Sequence, residues 1–253
     1  GTYFVFTVQD PKQRRIAKAT VRDRLLYHAI HRFLYPFFAP KFIVDSYSCQ
    51  LKKGTHRAIG RFRSFAYQVS RNHTRTCWVL KCDIRKFFAS IDRQIIKNIL
   101  AESIADKDLR HLLSEVIMSF SPGLPLGNLT SQLLVNVYMN ELDQFVKHSL
   151  KVRHYIRYAD DFLFLHHDKS YLEELLPRVG DFLDEQLRLK LHPHKVSMAT
   201  IGSGVDFLGW VHFPDRRVLR TTTKRRVLRG TISAYHGVLK HGNTYTIRMR
   251  MLY

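Results

Sequence analysis

Two adjacent carboxylates, Asp160 and Asp161, stand between apolar, strand-like runs at 154–158 and 162–165, and no other stretch narrows the choice of fold as much. The flanking runs predict two strands, with Tyr158-Ala159-Asp160-Asp161 at the tip of a tight hairpin between them. Ionised groups placed there must stay hydrated, find a partner or meet a cation, because burying one alone costs several kcal/mol. Arg153 and Arg157 are near in sequence, so a solvated turn with ordinary surface ion pairs is the competing reading.

A second carboxylate closes another apolar run, Trp78-Val79-Leu80-Lys81-Cys82-Asp83, which is followed by Ile84 and Phe87-Phe88. A buried strand ending in Asp sets that Asp at a sheet edge, where function collects in mixed folds; an Asp that merely opens a loop is the alternative. Antiparallel pairing of these strands would bring Asp83 to Asp160. Such a cluster can hold two Mg²⁺ ions about 4 Å apart, with Mn²⁺ as the substitute, one activating a 3′-hydroxyl and the other holding a triphosphate. Phosphoryl transfer needs little more than positioning and charge neutralisation.

The charge balance points to the partner. Forty-one Lys and Arg against 21 Asp and Glu give a net charge of +20, which repels itself in a compact state unless a polyanion offsets it. The basic residues are spread along the chain among aromatics and do not form one amphipathic helix, which favours nucleic acid over a membrane surface. The apolar stretch at 33–44 is interrupted by Pro36, Pro40 and Lys41, so no run reaches membrane-spanning length. Cys49, Cys77 and Cys82 show neither metal-site spacing nor an even disulfide count, which fits a reducing, cytoplasmic setting. His166-His167 and His192-Pro193-His194 lack partners at metal spacing and are read as surface or phosphate-contacting residues. The chain is expected to be a fragment of a longer product.

Along the chain, residues 3–8 predict a strand turning at Asp10-Pro11 into a basic flap with Lys12, Arg14, Arg15 and Lys18. A helix is predicted over 20–34, ended by Pro36, and another over about 56–70. Asp92 reads as the N-cap of a helix, and Asn128 or Thr130 as the cap of a long helix after the glycine loop 121–128. Residues 171–187 predict a helix kinked or split at Pro177 and Gly180; 189–191 alternate like a strand; 206–211 predict a strand or hairpin.

Taken together and in order, Asp83-Ile84-Arg85-Lys86-Phe87-Phe88, the Gly127 loop, Tyr158-Ala159-Asp160-Asp161, Lys195 and Phe207-Leu208-Gly209-Trp210 resemble the motifs of reverse transcriptases. The resemblance covers nearly the whole chain. It implies an α+β right-hand polymerase fold with fingers at 1–80, a palm at 81–215 interrupted by a fingers segment at about 93–130, and the start of an incomplete thumb at 216–253. It makes Asp83, Asp160 and Asp161 catalytic, places Ile84 with them in the metal set, and makes Phe88 a steric gate under the sugar. Alternation along a strand makes Asp161 the less direct metal ligand. Lys12, Arg14, Leu126, Gly127, Gln132 and Lys195 are implied to meet the nucleotide, with Lys195 near the leaving group, and Leu208, Gly209 and Trp210 to form the primer grip. The implied partners are template RNA, a primer or cDNA strand and deoxynucleoside triphosphates, with no membrane.

Leu126-Gly127-Asn128-Leu129-Thr130-Ser131-Gln132, Arg22-Asp23-Arg24 and residues 46–57 are most similar to the enzymes of diversity-generating retroelements. Those copy a template-repeat RNA with errors at adenines and imply a small basic accessory protein. An apolar Leu126 where Gln would hydrogen-bond the nucleotide is a physical route to looser selection, a lost hydrogen bond being worth about 1 kcal/mol. A group II intron-like or defence-associated reverse transcriptase is the alternative within the same chemistry. A non-catalytic RNA-binding scaffold is the alternative outside it.

Overall fold

A four-stranded antiparallel sheet with helices on both faces carries the predicted hairpin. The computed structural model describes residues 3–9 and 13–229. β1 (Tyr3–Val8) and β2 (Arg14–Ala19) form a hairpin, followed by α1 (Val21–Phe38), α2 (Thr55–Val69), β3 (Trp78–Asp83), α3 (Phe87–Ser90), α4 (Arg93–Ser103) and α5 (Lys107–Met118). Then come α6 (Leu129–Gln144), extended by a π-type turn at Phe145–Ser149, β4 (Tyr155–Tyr158), β5 (Asp161–His166), α7 (Lys169–Leu187) and β6 (Ser197–Thr200). β7 (Val205–Phe207), β8 (Trp210–His212), β9 (Arg217–Leu219) and α8 (Thr221–Arg229) complete the described chain.

The main sheet runs β4-β5-β3-β6, and β7-β8-β9 form a separate three-stranded meander. Strand alternation explains how the main sheet is covered. Leu80, Cys82, Tyr155, Phe162 and Phe164 join the large core that includes α6 and α7, whereas Val79, Ile156, Leu163 and Leu165 join the core built on α2. Both faces are buried, so these strands read as continuous apolar runs.

Several predicted boundaries shift. α1 continues through Pro36 to Phe38: the ring removes one hydrogen bond, to the Arg32 carbonyl, and buried Leu34 and Phe38 anchor this end of the helix in the core. α7 is one helix through Pro177 and Gly180, held by buried Leu172, Leu175, Val179, Leu183 and Leu187. The alternation at 189–191 yields only an isolated bridge from Leu191 to Ile84; the fourth strand is β6, beyond Lys195. Two helix caps are as predicted: Asp92 accepts from Gln94 and Ile95 amides, and Asn128 accepts from that of Thr130.

Near residue 80 the chain passes from α2 into the main sheet. β3 starts at Trp78, and α2 lies against β4 and β5. The N-terminal hairpin meets α1 and the 93–130 segment: the Ala17 amide donates to the Leu126 carbonyl at 3.4 Å, and the Tyr3 hydroxyl sits 2.8 Å from that of Tyr27 and 3.1 Å from Ser119 Oγ. Of the region assigned to the thumb, β9 and α8 are described, with Val227 packed on Ile59, Trp210 and Leu219; residues 230–253 lie outside the described residues. Among the described residues, no helix is long and apolar enough to cross a membrane.

Candidate active site

β3 and β5 pair over their full length, and the register puts Asp83 directly opposite Asp161. β4 and β5 are joined by a two-residue turn, Ala159-Asp160, in which Ala159 has φ +56°. A non-glycine residue in that region costs about 1–2 kcal/mol, so the surroundings must hold it there. Like charges facing one another across a ladder repel.

Two lysines moderate the repulsion. Lys195 Nζ donates to Asp83 Oδ1 at 2.5 Å, and Lys81 Nζ lies 3.3 Å from Asp161 Oδ2. Lys81 also donates to the Asp206 carbonyl at 2.8 Å, tying the carboxylates to the β7–β8 hairpin. Burial raises the Asp161 carboxyl to a pKa of about 6; Lys81 opposes this, and Asp160 and Asp83 add to it. Asp161 Oδ1 is shielded from solvent with no hydrogen-bond partner among the described residues.

No group of three or more His, Cys, Asp or Glu side chains is drawn together tightly enough to hold a metal among the described residues. The donors nevertheless fit a hard divalent ion: carboxylate oxygens, one of them lacking any donor, stand where two ammonium groups supply the positive charge. Asp83, Asp160 and Asp161 are the residues that would hold it. Ile84 has a hydrocarbon side chain, 1% exposed in the core, so its backbone carbonyl is the one ligand atom it could offer. Asp161 faces Asp83 in register and carries the unsatisfied oxygen, while Asp160 lines the cleft.

Asp160 opens onto a cleft of about 800 Å³ lined also by Phe88, Leu126, Lys195, Lys86 and Val5. Phe88 is positioned by α3, whose N-cap Lys86 has φ +48°. The Leu124 amide donates to the Phe88 carbonyl at 2.9 Å, and Gly123, at φ +65°, allows that approach: a Cβ there would run into the Phe88 and Ala89 backbone. Gly127 and Gln132 line an adjoining cavity of about 400 Å³ between β2 and α1, which shares Ala17 with the cleft. Arg14 lies on β2 opposite Val8, and Lys12 lies outside the described residues.

The hairpin implied as a primer grip turns at Leu208 and Gly209, both with positive φ as a two-residue type I′ turn requires. Trp210 is only 3% exposed and packs with Ile59, Leu219 and Val227. It therefore supports the hairpin from within, and its indole is not presented to a strand.

Beneath the Ala159–Asp160 turn lies a network that the motifs do not reveal. Arg157 is fully buried and forms a bidentate pair with equally buried Asp143, Nε to Oδ1 at 2.8 Å and Nη2 to Oδ2 at 2.6 Å. It also donates to Asn136 Oδ1, Ser46 Oγ and, at 3.1 Å, the Ala159 carbonyl. Tyr155 completes the Asp143 carboxylate at 2.8 Å, and residues 45–47 bond to the Arg157 backbone. Arg157 is thus the brace that holds Ala159 in its unfavourable conformation, not a surface partner of the turn. Its adjacency to the Tyr-Ala-Asp-Asp stretch is the available sequence signal.

The model of the family described as reverse transcriptase (RNA-dependent DNA polymerase) matches residues 9–212, most of the chain. The chain belongs to the reverse transcriptase family. Among curated relatives, protein YkfC of Escherichia coli (strain K12) is 25% identical over 241 residues, covering 78% of this chain and 62% of that protein. The group II intron-encoded protein LtrA of Lactococcus lactis subsp. cremoris is 21% identical over 319 residues, covering 92% of this chain and 51% of that one. This reverse transcriptase chain thus spans about half to three-fifths of the length of these relatives.

Solved structures show the fold. An apo telomerase from Candida tropicalis, truncated from its C-terminal domain, superposes with TM-score 0.66 at 10% identity, over 86% of this chain and 55% of that one. Telomerase from Candida albicans in complex with a fragment of telomeric RNA gives 0.61 at 10% identity, over 90% and 49%. The reverse transcriptase chain has the right-hand polymerase fold. Nothing in these relatives is specific to diversity-generating retroelements.

Proposed function

We propose that this chain is the polymerising core of an RNA-directed DNA polymerase, extending a primer on template RNA with deoxynucleoside triphosphates. The observation that carries this is the register of β3 and β5, which sets Asp83 against Asp161 beside Asp160 at the mouth of the Phe88-lined cleft. Two divalent ions, when bound, supply charge neutralisation of the triphosphate and activation of the 3′-hydroxyl. The chain's own residues do the rest. Asp83, Asp160 and Asp161 orient the reacting groups, Phe88 shapes the sugar pocket, and Lys195, released from Asp83, is placed to stabilise charge on the leaving pyrophosphate.

Primer extension on RNA with Mg²⁺ and deoxynucleotides tests the proposal. Asp160→Ala should abolish product while leaving RNA binding intact; undiminished extension by that variant would refute the assignment, and a wild-type chain that binds RNA without extending a primer would support the scaffold reading.

A finer reading is error-prone copying of a template-repeat RNA, with a small basic accessory protein. Leu126 supports it, because an apolar side chain lines the cleft where a Gln would offer a hydrogen bond. Leu126→Gln should lower errors at adenines in cDNA made on a defined RNA, and an unchanged error spectrum would leave a group II intron-like enzyme as the better reading, in line with LtrA among the relatives.

A further inference from the structure

We infer that the chain has a second anion-binding cleft, at the opposite end of the palm sheet from the carboxylates, which holds the phosphate backbone of the template RNA away from the reacting end. This rests on the polymerase reading for the identity of the RNA. The β3–β5 ladder runs from the Asp83–Asp161 pair to the Trp78–His166 pair, five residues away, or about 17 Å at 3.4 Å per residue. At that far end lies a cleft of about 550 Å³ whose wall includes Arg75, Lys151, Arg153, His154, His166 and His167. No acidic residue lines it.

The cleft is built from held parts. Arg75 donates through Nε to the Val69 carbonyl at 2.7 Å, which fixes the guanidinium and leaves its terminal nitrogens for a ligand. Lys147 donates to the Val152 and Arg153 carbonyls at 3.2 and 2.9 Å, shaping the loop that presents Lys151 and Arg153. Among the described residues, none of Arg75, Lys151 and Arg153 forms an ion pair with a carboxylate. Asp168, next along the chain, turns its carboxylate onto the Ser170 amide as a helix cap. His154 Nε2 is shielded from solvent without a hydrogen-bond partner among the described residues.

Unpaired cations that converge in a concave surface are an electrostatic footprint for phosphates. The aromatic content favours a single-stranded or looped nucleic acid over a lipid surface: the His166 ring lies 4.2 Å from that of Tyr171 and 4.4 Å from that of His167, both tilted, so the cluster offers ring faces at several angles to unpaired bases. Exposed large apolar side chains, which would enter a bilayer, are absent from the cleft wall among the described residues. The pair His166-His167 thereby acquires a role that its lack of metal-site partners had left open.

The test uses the full chain with Arg75→Gln, Lys151→Asn and Arg153→Gln combined; Asn tolerates the left-handed backbone of Lys151, at φ +53°. Binding is measured across salt for a long structured RNA and for a short RNA–DNA primer–template that spans only the carboxylate cleft. Removing three phosphate contacts should lower the salt slope for the long RNA by about 2 and weaken its binding at least about tenfold, with extension of the short hybrid and the melting temperature unchanged. An unchanged slope for the long RNA, an equal loss on the short hybrid, or lost binding to phosphatidylserine vesicles with RNA binding intact would each overturn the inference. A wild-type chain that fails to extend the short hybrid would count against the polymerase reading alone, because the RNA-binding comparison does not depend on catalysis.

Discussion

Two carboxylate–cation arrangements lie within a few residues of each other, and they are built on opposite plans. Asp143 and Arg157 are fully buried, bidentate and saturated, with Tyr155, Asn136, Ser46 and the Ala159 carbonyl taking the remaining bonds. Asp83 and Asp161 are only partly covered, each met by one lysine, and Asp161 retains a buried oxygen with no donor. The closed arrangement has nothing left to bind and serves to hold a strained turn. The open one is short of positive charge and can exchange its lysines for something better. Saturation, not the mere presence of charge, separates the brace from the site.

The sharpest way to break this contrast is to remove one partner of the closed pair. Asp143→Ala should strand the Arg157 guanidinium and cost about 3–5 kcal/mol in chemical denaturation. Asp143→Leu with Arg157→Met should cost less than either single change, and a double variant worse than both would show that the pair itself stabilises the fold. The open pair predicts the reverse balance. Lys195→Ala should change stability by no more than about 0.5 kcal/mol, since that lysine is 37% exposed, while lowering extension by at least about tenfold.

Metal should also tell the arrangements apart. Saturating Mg²⁺, at about a hundred times its dissociation constant, should raise wild-type stability by about 2.7 kcal/mol. Asp161→Asn should abolish that gain while leaving the metal-free protein at least as stable as wild type, because it removes a like charge opposite Asp83. Equal Mg²⁺ stabilisation in both proteins would remove Asp161 from the ligand set.

The last effect, confined to acid pH, concerns a buried group outside both arrangements. Burial pushes His212 down to about 4 from its ordinary 6.5. Its folded pKa lies below the unfolded one, so the unfolded chain takes up the proton first as pH falls through 6.5. Stability is therefore lost between about pH 6.5 and 4, by up to about 1.4 kcal/mol per pH unit. His212→Gln should flatten the pH dependence of the denaturation midpoint relative to wild type across that window; an equally steep variant would assign the dependence elsewhere.

Much of the site was legible because its signals are local. A hairpin flanked by apolar runs, a strand ending in Asp83 and caps at Asp92 and Asn128 follow from residues within one turn or ladder step of each other. The misreadings share one cause. Pro36 predicts a helix end and Pro177 a kink or split because a lost amide is visible in sequence, whereas the core contacts that outweigh it are not. Leu126 lines the cleft beside Asp160, while Gln132, with Gly127, lines the adjoining cavity between β2 and α1, a distinction that depends on how β2 and α1 pack. Trp210 looked available because its burial depends on Ile59 and Val227, distant in sequence.

By itself, the sequence determined the reverse transcriptase motifs, their order and the strands that bear the three aspartates, since periodicity and turn chemistry are short-range properties. Only the tertiary structure decided which charges are closed and which remain open. Whether a carboxylate is saturated depends on donors brought in from elsewhere in the chain: Ser46 and Asn136 around Arg157, Lys195 beside Asp83, and no donor at all for one oxygen of Asp161.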